Sequence, residues 1–280
     1  MEILLASEAG FCFGVRRALD TAREASQQHG HIYSVGPLIH NRQVVEDLAT
    51  RGVEVVDDLA CVPPGSVAMI RTHGTGPDTY SEAQSRSIEI IDTTCPFVER
   101  VQRAAAHYQT KGYQVLVLGE PDHPEARAIV EHTGGAATIV QDADDLAGLA
   151  LRRRVAVVCQ TTQRLENLQA LVAALLPQVT ELRVQNTICD ATKNRQSAAL
   201  EVAQVVDLML VIGGKHSANT TRLAQICAAT GTPTQHIETA AEIDSKWLEG
   251  VARVGITAGA STPDEAIEAV VARLERAGTH

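Results

Sequence analysis

The feature that most constrains the fold of this chain is a threefold repeat in the spacing of its residues. Cys12, Cys95 and Cys189 each follow a strand-like apolar run and precede a helical pattern. A glycine lies 24 residues after each cysteine, and other residues recur 28 and 30 residues after it. The glycines at offset 24 are Gly36, Gly119 and Gly213. Offset 28 holds His40, His123 and Ser217, and offset 30 holds Arg42, Glu125 and Asn219. Such fixed self-similarity indicates three copies of one structural unit.

Strand-like and helical segments alternate along the whole chain. Residues 2–6 (EILLA) and 113–119 (YQVLVLG) are typical strand candidates, and VERVQRAAAHYQ is a typical helical pattern. This alternation indicates the α/β class, with parallel sheets covered by helices. We therefore predict three small α/β units, at residues 1–94, 95–188 and 189–280. Ligands bind beyond the carboxyl ends of parallel strands, so three pseudo-symmetric units arranged around an axis would bring the cysteines and the polar turns toward one central cavity.

Charge and composition exclude several classes of function. A net charge of −10 and an aromatic content of 3% argue against a nucleic-acid-binding protein. No apolar stretch approaches the roughly 18 residues that suggest a membrane span. The first residues, MEILLASEAG, lack the pattern of a signal peptide. We therefore expect a cytoplasmic protein, in which the six cysteines do not form disulfides.

The three repeated cysteines have the features of metal ligands. Each lies just before a helix, where free N–H groups and the helix dipole favour the thiolate that binds metal. Two centres are compatible with this set: a zinc ion with a fourth ligand, or a [4Fe–4S] cluster with three thiolates and one open iron. We expect the other cysteines to be small buried apolar residues and the nearby arginines to lie on solvated helix faces. These are Cys61, Cys159 and Cys227, and Arg16, Arg100 and Arg195.

Polar residues at the predicted strand ends form a second group. They are neutral or switchable hydrogen-bond donors, which suit a small phosphate-bearing ligand near helix N-termini. The group contains His40, His73, His123, Thr161, Ser217, Asn219 and Ser261. Glu125 is the only carboxylate at its repeat position, and it follows Pro124, which can start a helix. Glu125 is either a helix-capping residue or a general acid.

These motifs together resemble the family of hydroxymethylbutenyl diphosphate reductases, called LytB or IspH. The matching pieces run in order from residue 10 to beyond residue 260: GFCFGVRRA, PLIHNRQVV, IRTHG, DTTCPFV, HPE, QTT, TICDATKNRQ, GGKHSANTTRL and TAGASTPDEA. The resemblance implies a trefoil around one [4Fe–4S] cluster. Its ligands would be Cys12, Cys95 and Cys189, and the open iron would face the substrate hydroxyl.

The resemblance also implies a reaction and a role for each polar residue. The reaction is a two-electron reductive dehydroxylation that yields isopentenyl and dimethylallyl diphosphates, in the last step of the non-mevalonate isoprenoid pathway. Glu125 would relay the proton, with Thr161 at the substrate hydroxyl. The diphosphate would be held by His40, His73, His123, Ser217, Asn219 and Ser261, with Ala218 in the same segment. A ferredoxin or flavodoxin would donate the electrons, and we expect a monomer.

Two residues depart from the family pattern. Ala218 stands where members usually have a second serine, which removes one hydroxyl donor from the expected diphosphate site. Arg127 follows the HPE motif where a glycine is usual, and it could alter the pKa of Glu125 or replace the missing donor. Either change leaves room for a shifted substrate preference. Three alternatives also remain open: a related cluster enzyme that acts on another unsaturated diphosphate or catalyses hydration without electron input, a non-catalytic iron–sulfur sensor, and a zinc hydrolase.

Overall fold

The computed structural model describes residues 1–278 of the chain. Within them, strands and helices alternate as the sequence predicts. The strands are β1 (Glu2–Leu5), β2 (Ile32–Val35), β3 (Val53–Val56), β4 (Val67–Ile70), β5 (Glu89–Asp92), β6 (Gln114–Leu118), β7 (Thr138–Val140), β8 (Arg154–Cys159), β9 (Glu181–Val184), β10 (Leu208–Ile212), β11 (Thr234–Ile237) and β12 (Arg253–Ala258). The α-helices are α1 (Phe13–His29), α2 (Arg42–Thr50), α3 (Pro77–Ser85), α4 (Pro96–Thr110), α5 (Pro124–Glu131), α6 (Leu165–Leu175), α7 (Asp190–Ala203), α8 (Ala218–Ala229) and α9 (Asp264–Gly278).

These strands form three parallel sheets of four strands each. Their orders are β3-β2-β4-β5, β7-β6-β8-β9 and β11-β10-β12-β1. The three orders are equivalent, because β1 takes in its sheet the edge position that β5 and β9 take in theirs. Parallel strands connected through helices confirm the predicted α/β class.

The chain divides into two compact units. Among the described residues, one unit contains residues 1–16, 40–45 and 190–278 and includes the sheet of β1, β10, β11 and β12. The other contains residues 17–39 and 46–189 and includes the remaining two sheets. The boundaries that the sequence suggests at residues 94 and 188 stay predictions.

The β6–β9 sheet separates two apolar cores. Successive side chains of a strand point to opposite faces, so Leu116 and Leu118 of β6 pack with α6, at Leu168 and Leu171 among others. Val115 and Val117 point the other way and pack with residues of α4 and α5. Burial on both faces explains why β6 reads as a continuous apolar run. Each fully buried leucine or valine contributes about 1.5–3 kcal/mol to stability.

The β10–β12 sheet follows the same rule. Leu208, Leu210 and Ile212 of β10 pack with one face of α9, where Val270 and Leu274 are completely buried. Met209 and Val211 face the opposite side, where they pack against α7 and α8. The two sheet faces are thus covered by helices, and the carboxyl ends of the strands are left to carry the polar turns.

The helix starts follow from simple capping chemistry. Pro77, Pro96 and Pro124 open α3, α4 and α5, where the missing N–H of proline costs no helical hydrogen bond. Ser217 caps α8 by accepting a hydrogen bond from the Thr220 N–H. Among the described helices, none combines the length and the apolar character needed to cross a membrane.

Candidate active site

The three repeated cysteines are fixed in one common way. Each stands directly before a helix (α1, α4 or α7) and each is half-buried. The backbone N–H of each donates to a carbonyl in the polar turn after a neighbouring strand. The pairs are Cys12 to Ala260 (3.2 Å), Cys95 to Thr72 (3.0 Å) and Cys189 to Thr161 (3.1 Å). Every cysteine is therefore anchored at a predicted ligand-binding residue or next to one, since Thr72 precedes His73 and Ala260 precedes Ser261.

Glu125 lies buried in the first turn of α5, with 2% of its surface exposed. Both of its carboxyl oxygens accept hydrogen bonds from Thr161: the backbone N–H reaches Oε1 at 2.6 Å, and the hydroxyl reaches Oε2 at 2.9 Å. Burial raises the pKa of Glu125 to about 7, although the two Thr161 hydrogen bonds act in the opposite direction. A carboxyl group with this pKa can hold and release a proton near neutral pH.

The raised pKa of Glu125 predicts a pH dependence of stability. Between about pH 4.5 and 7, the folded chain keeps a proton that the unfolded chain has lost. The free energy of unfolding should therefore fall as the pH rises through this range, by about 3 kcal/mol in total. Urea denaturation of the iron-free wild type and of Glu125→Gln, at several pH values, should show this fall only in the wild type. Parallel curves for the two proteins would contradict it.

His123 and His73 lie together beside this acid. His123 caps α5, because its Nδ1 accepts the Glu125 N–H at 3.1 Å. An accepting Nδ1 carries no proton, so the neutral ring has its donor at Nε2. The rings of His73 and His123 meet edge to face, with centroids 5.2 Å apart. This part of the chain thus brings together His73, His123, Glu125 and Thr161, as the sequence predicts.

His40 and Ser261 form a corresponding group in the other unit. The Ser261 hydroxyl donates to the His40 carbonyl at 3.3 Å. A Cβ atom on Gly214 would lie 2.5 Å from the same carbonyl. Only glycine fits there, and the backbone of the β10–α8 turn can therefore pack directly on His40.

The N-terminus of α8 carries Ser217 as its cap, followed by Ala218 and Asn219 in the first turn. Asn219 is 5% exposed, and among the described residues neither atom of its side-chain amide has a hydrogen-bond partner. Such an unsatisfied buried amide costs free energy unless a ligand or water binds it. Together with the N–H groups of the helix start, it can bind an anion. Ala218, which is 9% exposed, adds a methyl group in place of a donor.

Several interpretations of single residues need correction. The Arg127 guanidinium is exposed, donates to the Pro121 carbonyl and pairs with Asp122. The pKa shift of Glu125 arises from burial, Thr161 and Glu120, so the hypothesis that Arg127 alters it is wrong. Likewise, the expected buried apolar residue at Cys61 is exposed.

Of the remaining cysteines and arginines, four lie as predicted and one does not. Cys159 and Cys227 are buried as expected, and burial raises the pKa of their thiols to about 12 and about 11. Arg16 and Arg100 are exposed as expected. Arg195, in contrast, is only 3% exposed, and the prediction of a solvated position is wrong for it.

Sequence reasoning missed the side chains that shape the turns before two cysteines. Asp92 accepts the Thr94 N–H at 2.8 Å and the Tyr80 hydroxyl at 2.7 Å. Asn186 similarly accepts the Ile188 N–H at 3.2 Å. Both acceptors lie three residues before a cysteine, and an Asp or Asn at this offset in two of three repeats was the available signal.

The chain is similar to known proteins along nearly its whole length. The sequence model of a family described as LytB protein matches residues 3–275. The 4-hydroxy-3-methylbut-2-enyl diphosphate reductase of Pelobacter propionicus is 46% identical over 274 residues, which are 98% of this chain and 98% of that protein. The enzyme of the same name from Trichlorobacter lovleyi is 47% identical over 276 residues, with 99% and 98% covered.

Solved structures give the same result. The E-1-hydroxy-2-methyl-but-2-enyl-4-diphosphate reductase from Plasmodium falciparum superposes with a TM-score of 0.92 at 26% identity, covering 97% of this chain and 87% of that one. A structure of (E)-4-hydroxy-3-methyl-but-2-enyl diphosphate reductase, described as the terminal enzyme of the non-mevalonate pathway, has a TM-score of 0.72 at 38% identity. It covers 99% of this chain and 100% of that one.

Proposed function

This chain belongs to the LytB family of reductases, and we propose that it converts (E)-4-hydroxy-3-methylbut-2-enyl diphosphate to isopentenyl and dimethylallyl diphosphates. The observation that carries the proposal is a chain of hydrogen bonds from an acid to a cysteine. The buried carboxyl of Glu125 is bonded to Thr161, and the Thr161 carbonyl accepts the backbone N–H of Cys189. A proton donor is thereby fixed next to a proposed metal ligand.

The residues present are suited to an iron–sulfur cluster. Cys12, Cys95 and Cys189 are half-buried thiols at helix starts with fixed backbones, and none of the six cysteines, all in the described part, forms a disulfide. We propose that these three ligate one [4Fe–4S] cluster. When bound, such a cluster supplies electrons singly and leaves one iron open as a Lewis acid.

In the proposed reaction, the allylic alcohol gains two electrons and two protons, loses its hydroxyl as water and forms a C–H bond. At neutral pH much of Glu125 is protonated, because its pKa is about 7. In the protonated acid the 2.9 Å hydrogen bond between Oε2 and the Thr161 hydroxyl reverses, so that Oε2 donates. The Thr161 hydroxyl then gives its own proton to the leaving hydroxyl and takes the proton of Glu125. Thr161 also orients the substrate oxygen, and proton transfer of this kind typically contributes about 10²–10⁴-fold to the rate.

We assign the binding of the diphosphate to three histidines and to polar residues that include the N-terminus of α8. The donors are His40, His73, His123, Ser217, Asn219 and Ser261. The unsatisfied amide of Asn219 supports this assignment directly. Ala218 lacks a hydroxyl that family members usually have, and one lost hydrogen bond to a charged group weakens binding by about 1.5–3 kcal/mol.

The redox partner and cellular setting complete the proposal. A ferredoxin or flavodoxin is the proposed electron donor, because such one-electron carriers match a cluster that accepts electrons singly. A monomer in the cytoplasm, with three α/β units in a trefoil, remains our prediction from the sequence.

Anaerobic purification with iron and sulfide analysis tests the proposal, followed by addition of hydroxymethylbutenyl diphosphate and a low-potential reductant. We expect a brown protein that releases isopentenyl and dimethylallyl diphosphates only when the reductant is present. A brown protein that is inert would favour another unsaturated diphosphate or a sensor. A protein that holds no iron after reconstitution would refute the proposal.

A further inference from the structure

The turn before Cys12 is held by a buried arginine. Arg195, in the second turn of α7, is 3% exposed. Its Nη2 donates to the Gly10 carbonyl at 2.8 Å and its Nη1 to the Ala191 carbonyl at 3.1 Å. Burying a guanidinium group destabilises the fold unless hydrogen bonds compensate for the loss of its hydration. Hydrogen bonds such as these offset the cost of burying the charge, and the bond to Gly10 fixes the carbonyl two residues before Cys12.

Gly10 itself is adapted to this contact. Its φ of +88° lies in the left-handed region that favours glycine, and an added Cβ would lie 2.8 Å from the Asp264 carboxylate. The Cys12 N–H is bonded to Ala260 on the far side of the turn. The turn is therefore restrained at its carbonyl by Arg195 and at its last amide by the β12–α9 turn.

The turn before Cys95 has an equivalent restraint from a different helix. Arg17 of α1 donates from Nη1 to the Thr94 carbonyl at 2.9 Å. Thr94 is 2% exposed, and its N–H is bonded to Asp92. The carbonyl fixed by Arg17 belongs to the residue directly before Cys95, so a small shift of it moves the thiol.

We propose that Arg195 and Arg17 are positioning residues, each of which holds one cysteine turn in the geometry needed for cluster binding: Arg195 for Cys12 and Arg17 for Cys95. The cluster rests on the proposed function, whereas the restraint on each turn does not. Hydrogen bonds from a charged donor are shorter and stronger than neutral ones. Arg195 also uses the arginine fork to reach two carbonyls, which a lysine ammonium on a single stem cannot reproduce.

Hydrogen–deuterium exchange on the full chain, as purified without oxygen, tests the two restraints separately. In Arg195→Met, we expect exchange in segment 7–12 to be about tenfold faster or more, as for loss of one hydrogen bond to a charged group. Segment 91–95 should not change. Arg17→Met should show the reverse pattern. Arg23→Met serves as the matched control, because Arg23 is an exposed arginine of α1 and should leave both segments unchanged.

If each variant speeds exchange only in its own segment, the arginine acts on that turn. A general loosening of the fold would speed exchange in both segments. Unchanged exchange in both variants would overturn the proposal, and so would an equal rise of both segments in each variant. If Arg195→Met does not fold, Arg195→Lys takes its place. We expect it to keep the charge but lose the bond to the Gly10 carbonyl, with faster exchange again confined to segment 7–12.

The rate at which iron is lost is a second measurement that tests the same variants. After addition of a chelator, we expect Arg195→Met and Arg17→Met to lose iron at least several-fold faster than the wild type and Arg23→Met. Equal rates would show that these turns do not control the cluster, and the positioning role would be refuted. A wild type without iron would refute the proposed function instead, and the exchange experiment would still decide whether the arginines hold the turns.

Discussion

Replacement of Glu125 by glutamine is expected to lower turnover by about 10²–10⁴-fold, the usual contribution of a general acid, while the protein keeps its iron. Glutamine has the shape of a protonated carboxyl group: its amide oxygen can still accept the Thr161 N–H, and its NH2 group can donate to the Thr161 hydroxyl. It cannot release a proton, so the leaving hydroxyl must depart unprotonated or take a proton from water. Steady-state turnover and iron content of the same preparation measure the two effects.

Glu166→Gln is the matched control for this variant. Glu166 is also a glutamate in the first turn of a helix, but it is exposed and pairs with Arg164. We expect its replacement to leave turnover unchanged. If Glu125→Gln retained full turnover, the acid role would be wrong and the side chain would serve only to join α5 to the turn at Thr161. A sensor without catalysis would likewise be insensitive to the change.

The strands of this fold are predictable from the sequence because their patterns are local. The apolar run DLMLVIG yields β10, and its continuous character follows from burial on both sheet faces. The pairing of β1 with β12 is different, because these strands are separated by almost the whole chain. Only the repeat, which makes β1 equivalent to β5 and β9, carried information about it.

The candidate site shows the same division between local and tertiary information. Glu125 could be selected because it is the only carboxylate at its repeat offset, and its helix start was visible at Pro124. The burial that raises its pKa is a tertiary effect, and the hydrogen bonds that oppose the rise come from Thr161, 36 residues away. Arg195 could not be recognised, since its partner Gly10 lies 185 residues away. A helix-face pattern cannot indicate whether another segment covers that face.

Replacement of Cys12, Cys95 or Cys189 by alanine, one at a time, is expected to remove most of the iron and sulfide and abolish turnover. A cluster that already lacks a fourth thiolate has no protein ligand to spare. In each case the anchoring bond comes from the backbone N–H and not from the thiol. Alanine should therefore keep each turn in place, and the loss of metal can be assigned to the missing sulfur. Anaerobic metal and sulfide analysis measures it.

Cys61→Ala is the control, because Cys61 is exposed and has no counterpart in the repeat. It should keep the full iron and sulfide content and normal turnover. Retention of the cluster in any one of the three ligand variants would remove that cysteine from the site and require another ligand. Zinc in the wild type, lost in the same three variants, would keep the ligand set but replace the reductase with a zinc enzyme. The pattern across the four variants therefore decides the ligands, and the metal analysis decides the chemistry.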